Sequence, residues 1–233
     1  MNNLKYILIT ILFLTISCEK KESEWIDLFD GKSTDGWRAY NGEEIPAKWA
    51  AIDGELTFST KLKLEEDWSG GGDIIYYKEQ FEYFELHLEW KLPKGGNSGV
   101  FYNVQEGYDS PPAISPEYQL LDDTGWEELN NTKLKEWQKA GANYAMHEAD
   151  ISKKTLNPAG EWNSTKIIYT EKKVEHWLNG EMLLEFEPYS EDWYSKRNVG
   201  KFGPDYGKYK KGYIALQDHD SPIWFRNIKI RKL

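Results

Sequence analysis

An all-β, two-sheet antiparallel sandwich is the fold this sequence predicts, and three observations carry that expectation. The segment Phe84–Leu92 alternates strictly, with Phe84, Leu86, Leu88, Trp90 and Leu92 on one face and Glu85, His87, Glu89 and Lys91 on the other. That is the period of a strand with one buried side. Asp53-Gly54 and Asn179-Gly180 each stand between apolar alternations, and such dipeptides supply the positive φ angles of a two-residue hairpin turn. Short strand-like runs recur to the end of the chain with one helical piece, around Asn131 to Lys139, a pattern that indicates two packed antiparallel sheets.

In chain order, the first stretch lies outside the sandwich. A lone Lys5, the apolar run Tyr6 to Ile16 and a small residue, Ser17, make up the parts of an export signal over residues 1–17; the run is too short to span a bilayer comfortably. Cys18 follows Leu14-Thr15-Ile16-Ser17 in a pattern resembling a bacterial lipobox, so it is expected to be lipidated. Residues 18–24 would then be a tether to the membrane, with the protein in the periplasm or on the cell surface. Cys18 is the only cysteine, which excludes an intramolecular disulfide. Residues 25–233 suit one domain with a single core.

Trp25–Lys32 opens that domain with a strand and a tight turn, and Asp35–Arg38 with another. Trp49–Phe58 forms the Asp-Gly hairpin, Ser69–Gly72 a glycine-rich loop, and Phe84–Leu92 the strictly alternating strand. Asp123 to Ala149 has no sustained helical stripe and reads as a long decorated loop, the kind that carries function on a rigid scaffold. Strands return at Trp162–Thr170, Lys173–Leu178, Glu181–Glu187, Tyr213–Asp220 and Ile223–Ile230. With a formal net charge of −10, the chain lacks the basic face that phosphate recognition needs, so no nucleic-acid partner is expected. Eleven Trp and 15 Tyr supply rings for a core and for stacking on sugars.

The stretch Lys94–Asp123 concentrates the polar chemistry. In the run Glu117-Tyr118-Gln119-Leu120-Leu121, alternation puts Glu117 and Gln119 side by side on one face. The preceding Gly95-Gly96-Asn97-Ser98-Gly99 lets main chain approach a ligand closely. A site and a glycine hairpin with a solvated polar face both fit this spacing. Gln217 and His219 share a direction at the end of another strand, whereas His176 alternates with Val174 and Leu178 and fits a core histidine as readily as a site residue.

Seven ordered blocks, LFDGKSTDGW, FELHLEWKL, GGNSGVFYNV, EYQLLDD, GEWNSTKI, VEHWLNG and IALQDHDSPIWFRNIKI, together resemble the 3-keto-disaccharide hydrolase domain family, from about Trp25 to Leu233. The resemblance implies a concanavalin A-like jelly roll, frequent on exported bacterial lipoproteins, and a substrate that is a glycoside already oxidised to a ketone at C3. Asn103 and Lys91 stand where an arginine is common in that family, and Asp220 where glycine is frequent. A 3-keto group acidifies the C2 hydrogen, so a base can remove it and the C1 aglycone can leave by elimination, with water adding afterwards.

On that reading the catalytic candidates are His219, Glu117 and His176, the last drawn towards a site by its place in VEHWLNG. Gln119, Asn97, Ser98, Glu89, Gln217, Tyr102 and Tyr144 are the substrate-binding candidates. His87 and His147 are weaker alternatives, and Arg226 and Asn227 could brace a sheet edge. A divalent cation could polarise the ketone, but no compact ligand motif such as HExxH is present and no metal ligands are assigned. No GxSxG elbow or dinucleotide fingerprint occurs, so another enzyme must make the ketone. Two rival readings stay open: a carbohydrate-binding module without catalysis, and a conventional glycosidase of the laminarinase type, for which no E-x-D-x-x-E strand is found.

Overall fold

The computed structural model describes residues 24–59 and 72–233. The export signal, the tether with Cys18, and Ser69–Gly71 of the glycine loop lie outside the described residues. Within them the chain forms β1 (Ile26–Asp27), β2 (Trp37–Ala39), β3 (Trp49–Ile52), β4 (Glu55–Phe58), β5 (Ile74–Tyr76), β6 (Phe84–Lys91) and β7 (Asn97–Val104). After these come β8 (Glu117–Leu121), β9 (Asn163–Tyr169), β10 (Val174–Leu178), β11 (Glu181–Phe186), β12 (Tyr213–Leu216) and β13 (Ile223–Lys232). All pairs are antiparallel. One sheet has the order β11-β10-β9-β6-β13-β4-β3, with β1 also on β13, and the other runs β2-β5-β12-β7-β8.

The apolar faces of the two sheets meet in one core. From the large sheet come Phe84, Leu86, Leu88 and Trp90, all at most 2% exposed, which is the face that the alternation predicts. Ile74, Val100, Tyr102, Tyr118, Leu120, Ile214 and Leu216 answer from the small sheet. Both predicted hairpins turn on paired positive φ angles, 51° and 83° at Asp53-Gly54 and 48° and 90° at Asn179-Gly180, as two-residue turns require.

Two short helices depart from the sequence expectation. Instead of spanning Asn131 to Lys139, α1 covers Asp123–Asn130 directly after β8 and stops at Asn131, which sits in the left-handed region at φ 47°. Only a 3-10 turn, Glu136–Gln138, lies where the helix was expected. A second helix, α2 (Glu191–Val199), was not anticipated. Ser190 caps it by accepting the Trp193 N–H, with Glu191 and Asp192 in its first turn and Lys196 and Arg197 in its last. The signal was present in the sequence, but a single helix between strands is weak evidence against an all-β background.

Candidate active site

The outer face of the small sheet is a floor made by strand alternation. Because Gly99 pairs with Gln119 and Phe101 with Glu117, the side chains of Glu117, Gln119 and Leu121 stand beside those of Asn97 and Phe101, away from the core. On the other side of β7, the Gln217 N–H donates to the Gly99 carbonyl at 3.0 Å and carries Gln217 and His219 to the same floor. Asn97, Glu117, Gln119, Gln217, His219 and Tyr144 line one cleft of about 860 Å³. Six sequence candidates from four separate stretches therefore meet.

Two loops and α1 wall this cleft. Residues Gly107–Ile114, between β7 and β8, face Lys201–Asp205, which follow α2, while Trp126, Leu134 and Gln138 close the Leu121 end. The first loop is braced: Arg38 donates to both carboxylate oxygens of Glu106 at 2.7 Å, and Asn41 Nδ2 donates to the Tyr108 carbonyl at 2.6 Å. Tyr108 and Tyr209 hydroxyls meet at 2.7 Å and tie the two loops together. The walls are thus held in place by the fold.

Glu117 is the unusual group. Its side chain is 5% exposed and lies over Gly99, where an added Cβ would stand 2.3 Å from Glu117 Oε1. Glycine at position 99 is therefore what gives the carboxyl its place. Burial pushes the Glu117 carboxyl up to about 8, with the Asp73 charge adding to the rise and Lys201 opposing it. At neutral pH it is chiefly a carboxylic acid, able to donate a hydrogen bond.

Around it the floor presents acceptors. Asn97 Oδ1, Gln119 Oε1 and Gln217 Oε1 are buried with no hydrogen-bond partner among the described residues. For Gln119 the orientation is fixed, because its Nε2 donates to the Gln138 carbonyl at 3.1 Å and leaves the oxygen free. Buried unpaired acceptors are costly, so a site that keeps them is suited to a ligand rich in O–H donors. Among the described residues no group of three or more His, Cys, Asp or Glu is placed to hold a metal ion.

Four candidates are not at this cleft. His176 is fully buried between the sheets, its Nε2 3.2 Å from Tyr102 Oη and its Nδ1 3.1 Å from the Gly141 carbonyl, against Tyr118 and Phe186. Burial lowers its pKa to about 3, so it is a neutral core histidine sealed from substrate. Tyr102 is its partner on the same inward face, and burial raises the phenol well above its ordinary range. Ser98 also faces inward and donates to the Gln217 carbonyl at 2.9 Å, which supports the floor from below. Glu89 is on the outer face of the large sheet, where Arg226 and Asn227 donate to it at 2.6 and 2.9 Å. The physical reason is common to these cases: period-two alternation separates two faces but does not label which of them is lined by a cleft. Of the weaker candidates, His87 pairs with Glu85 at 2.7 Å on that same far face, and His147 stacks on Phe186.

Sequence reasoning missed Lys201 and Trp126, which line the cleft. They belong to loop and helix positions with no periodic signal.

Residues 24–231 match the family described as the 3-keto-alpha-glucoside-1,2-lyase-like domain. A 3-keto-disaccharide hydrolase of Bacteroides thetaiotaomicron is 36% identical over 231 residues, covering 90% of this chain and 78% of the relative. Among solved structures, a protein of Parabacteroides distasonis ATCC 8503 described as a glycosyl hydrolase superposes with a TM-score of 0.80 at 39% identity, over 90% of this chain and 94% of that one. A second from the same organism, with the same description, gives 0.68 at 30% identity, over 90% and 100%. A non-specific endo-beta-1,3(4)-glucanase of family GH16 gives 0.53 at 12% identity over 94% and 97%, a likeness of fold alone.

Proposed function

The chain belongs to the 3-keto-alpha-glucoside-1,2-lyase-like family and is a glycoside-cleaving enzyme, and from that premise we propose that its substrate is a glycoside or disaccharide bearing a ketone at C3. The observation that carries the reading is Glu117: a carboxyl held neutral by burial, on a floor of unpaired acceptors, with His219 at the rim. A buried neutral carboxylic acid suits the stabilisation of a developing enolate oxygen, since it donates where negative charge accumulates.

In this mechanism His219 removes the C2 hydrogen as a proton, and the C2–H electron pair becomes the enolate of the C3 ketone. Glu117 donates a hydrogen bond to the C3 oxygen. Collapse of the enolate forms a C1–C2 double bond and breaks the bond from C1 to the aglycone oxygen, which leaves and takes up a proton. Water then adds across that double bond, its oxygen to C1 and a proton back to C2, which completes a net hydrolysis; release before that step makes the reaction a lyase. Asn97, Gln119 and Gln217 accept hydrogen bonds from the sugar hydroxyls, and Tyr144 and Trp126 offer rings along the cleft wall. Nothing here needs two carboxylates flanking C1, as an ordinary glycosidase does.

Product analysis with synthetic 3-keto-glucosides beside their unoxidised parents tests the proposal. Release of aglycone from the ketone alone is expected; equal or faster cleavage of the parent assigns a conventional glycosidase, and binding without release assigns a carbohydrate-binding module. We also propose, from residues 1–18, export and lipidation at Cys18. Loss of lipid labelling and of membrane association in Cys18→Ala is the expected result.

A further inference from the structure

When the aglycone leaves C1 its oxygen needs a proton, and His219 and Glu117 are both occupied at that moment, one holding the C2 hydrogen and the other bonded to the C3 oxygen. Among the described residues that line the cleft, Lys201 is the one lysine or arginine. It stands on the wall that follows α2, with its ammonium over the ring of Tyr144, 4.9 Å from the centroid, a contact that holds a cation in place. Asp205, a carboxylate of the same loop, is engaged by Lys208 at 3.5 Å.

Tyr144 ties that cation to the floor. Residues 141–144 run along the outer edge of β8: the Gly141 N–H donates to the Gln119 carbonyl at 2.9 Å, the Gln119 N–H to the Ala142 carbonyl at 3.1 Å, and the Tyr144 N–H to the Glu117 carbonyl at 3.0 Å. Tyr144 is thus the neighbour of Glu117 on the side away from β7, about one strand spacing of ~4.8 Å across. His219 comes in from beyond the opposite edge of β7, after β12. The wall loop is anchored close to Lys201, where Phe202 stacks on the buried ring of Tyr206 at 3.8 Å, Tyr206 lies on Trp193 at 5.9 Å, and the Gly207 N–H donates to the Ile114 carbonyl at 2.6 Å. The charge on Lys201 is near enough to oppose the rise in the pKa of Glu117. A sugar in the cleft therefore has His219 on one flank, Glu117 beneath it and the ammonium on the other flank.

We infer that Lys201 is a catalytic acid of this reaction, giving its proton to the aglycone oxygen as the bond to C1 breaks. This rests on the reading of the substrate as a 3-keto-glycoside cleaved by elimination. One N–H bond of the ammonium breaks, an O–H bond forms on the leaving oxygen, and the lysine is left as a neutral amine. In the hydrolysis that amine takes a proton from the water whose oxygen adds at C1, while His219 returns a proton to C2, so both groups end as they began. In the lyase reaction solvent resets both. Alcohols and sugars need such a donor because their oxyanions are strong bases, whereas 4-nitrophenolate is a weak base and leaves with little help.

The experiment compares 3-keto-glucosides whose leaving groups are methanol, glucose and 4-nitrophenol, using the parent, Lys201→Met and Lys201→Arg, in water and in D2O. Lys201→Met is expected to lower kcat by about a hundredfold or more with methanol and glucose, and to show a loss smaller by roughly tenfold or more with 4-nitrophenol. Because His219 is intact, methyl substrate recovered from D2O should carry deuterium at C2, the mark of an enolate that forms and does not expel its aglycone. Lys201→Arg keeps a cation over Tyr144 but does not give up its proton, so it should show the same dependence on the leaving group. Equal losses on all three substrates overturn the inference and assign Lys201 to the shape of the cleft. Full rescue by arginine also overturns it, since a fixed charge then suffices, as does loss of C2 exchange together with cleavage, which places Lys201 at proton abstraction. A parent that releases nothing from any of the three overturns the 3-keto reading itself, and the inference with it.

Discussion

The outer faces of the two sheets carry much the same residue types and put them to opposite uses. On the large sheet, Arg231 donates to Glu85 at 2.6 Å, His87 meets Glu85 at 2.7 Å, Arg226 and Asn227 converge on Glu89, and Lys173 bridges Glu175 and Glu185 at 2.7 and 2.9 Å. Burial works to raise Glu85, but the bonds from Arg231 and His87 outweigh it and hold the carboxyl below its ordinary range. On the small sheet, among the described residues, Glu117 has no such cation bonded to it and the amide oxygens of Asn97, Gln119 and Gln217 in the same cleft have no partner. Paired polar groups on a strand face are structural; unpaired ones in a walled cleft are available for a ligand. The partner, rather than the residue type, distinguishes the two.

That contrast can be broken most sharply through turnover. Glu117→Gln and His219→Ala are each expected to lower kcat/KM on a 3-keto-glucoside by about a hundredfold or more with the fold kept, the usual scale for removing an acid–base group. Folded variants with unaltered rates would remove those residues from the mechanism. Gly99→Ala probes the same contrast from beneath: its methyl displaces the carboxyl of Glu117 rather than any backbone, so the protein should fold normally. A loss on the order of tenfold to a hundredfold is expected from the misplaced group, and parent-like kinetics would show that the carboxyl's position is unimportant.

Stability against pH separates the cleft from the core. Glu117 has a raised folded pKa, so its stabilising effect is complete at acid pH and is lost as pH rises through about 8. His176 is depressed to about 3 in the fold, so its effect is present above the ordinary histidine pKa and lost as pH falls towards 3. Glu117→Gln should therefore flatten the decline in thermal stability between pH 5 and 8, a difference on the order of 3 kcal/mol for a fully buried carboxyl. An unchanged slope in calorimetry would mean that Glu117 is ionised in the folded protein. On the large sheet, Glu85→Ala should cost about 1–2 kcal/mol in urea unfolding and leave turnover alone. The smallest effect is expected of Glu89→Gln, under about 1 kcal/mol, because its partner Arg226 is well solvated; a large fall in activity there would move the site to the other face.

Much of the fold was legible in order along the chain. Phe84–Leu92 announced its buried face, and Asp53-Gly54 and Asn179-Gly180 announced their turns, because a strand's period and a turn's φ angles are local properties. Glu117 with Gln119, and Gln217 with His219, were legible as pairs for the same reason. His176 shows where that reading stops: its block suggested a site, yet it is hydrogen-bonded inside the core by Tyr102 and Gly141. Glu89 alternated as cleanly as Glu117 and lies on the far face.

The sequence by itself determined that strands alternate, where hairpins turn, and which short runs hold polar groups side by side. Only the tertiary structure decided which sheet face would be walled into a cleft, that Gly99 would leave room for the carboxyl of Glu117, and that Gln217 and His219 would join it from a segment far along the chain. The reason is that periodicity is set by bonds within a segment, whereas burial, pairing and protonation are set by whatever other segments the fold brings alongside.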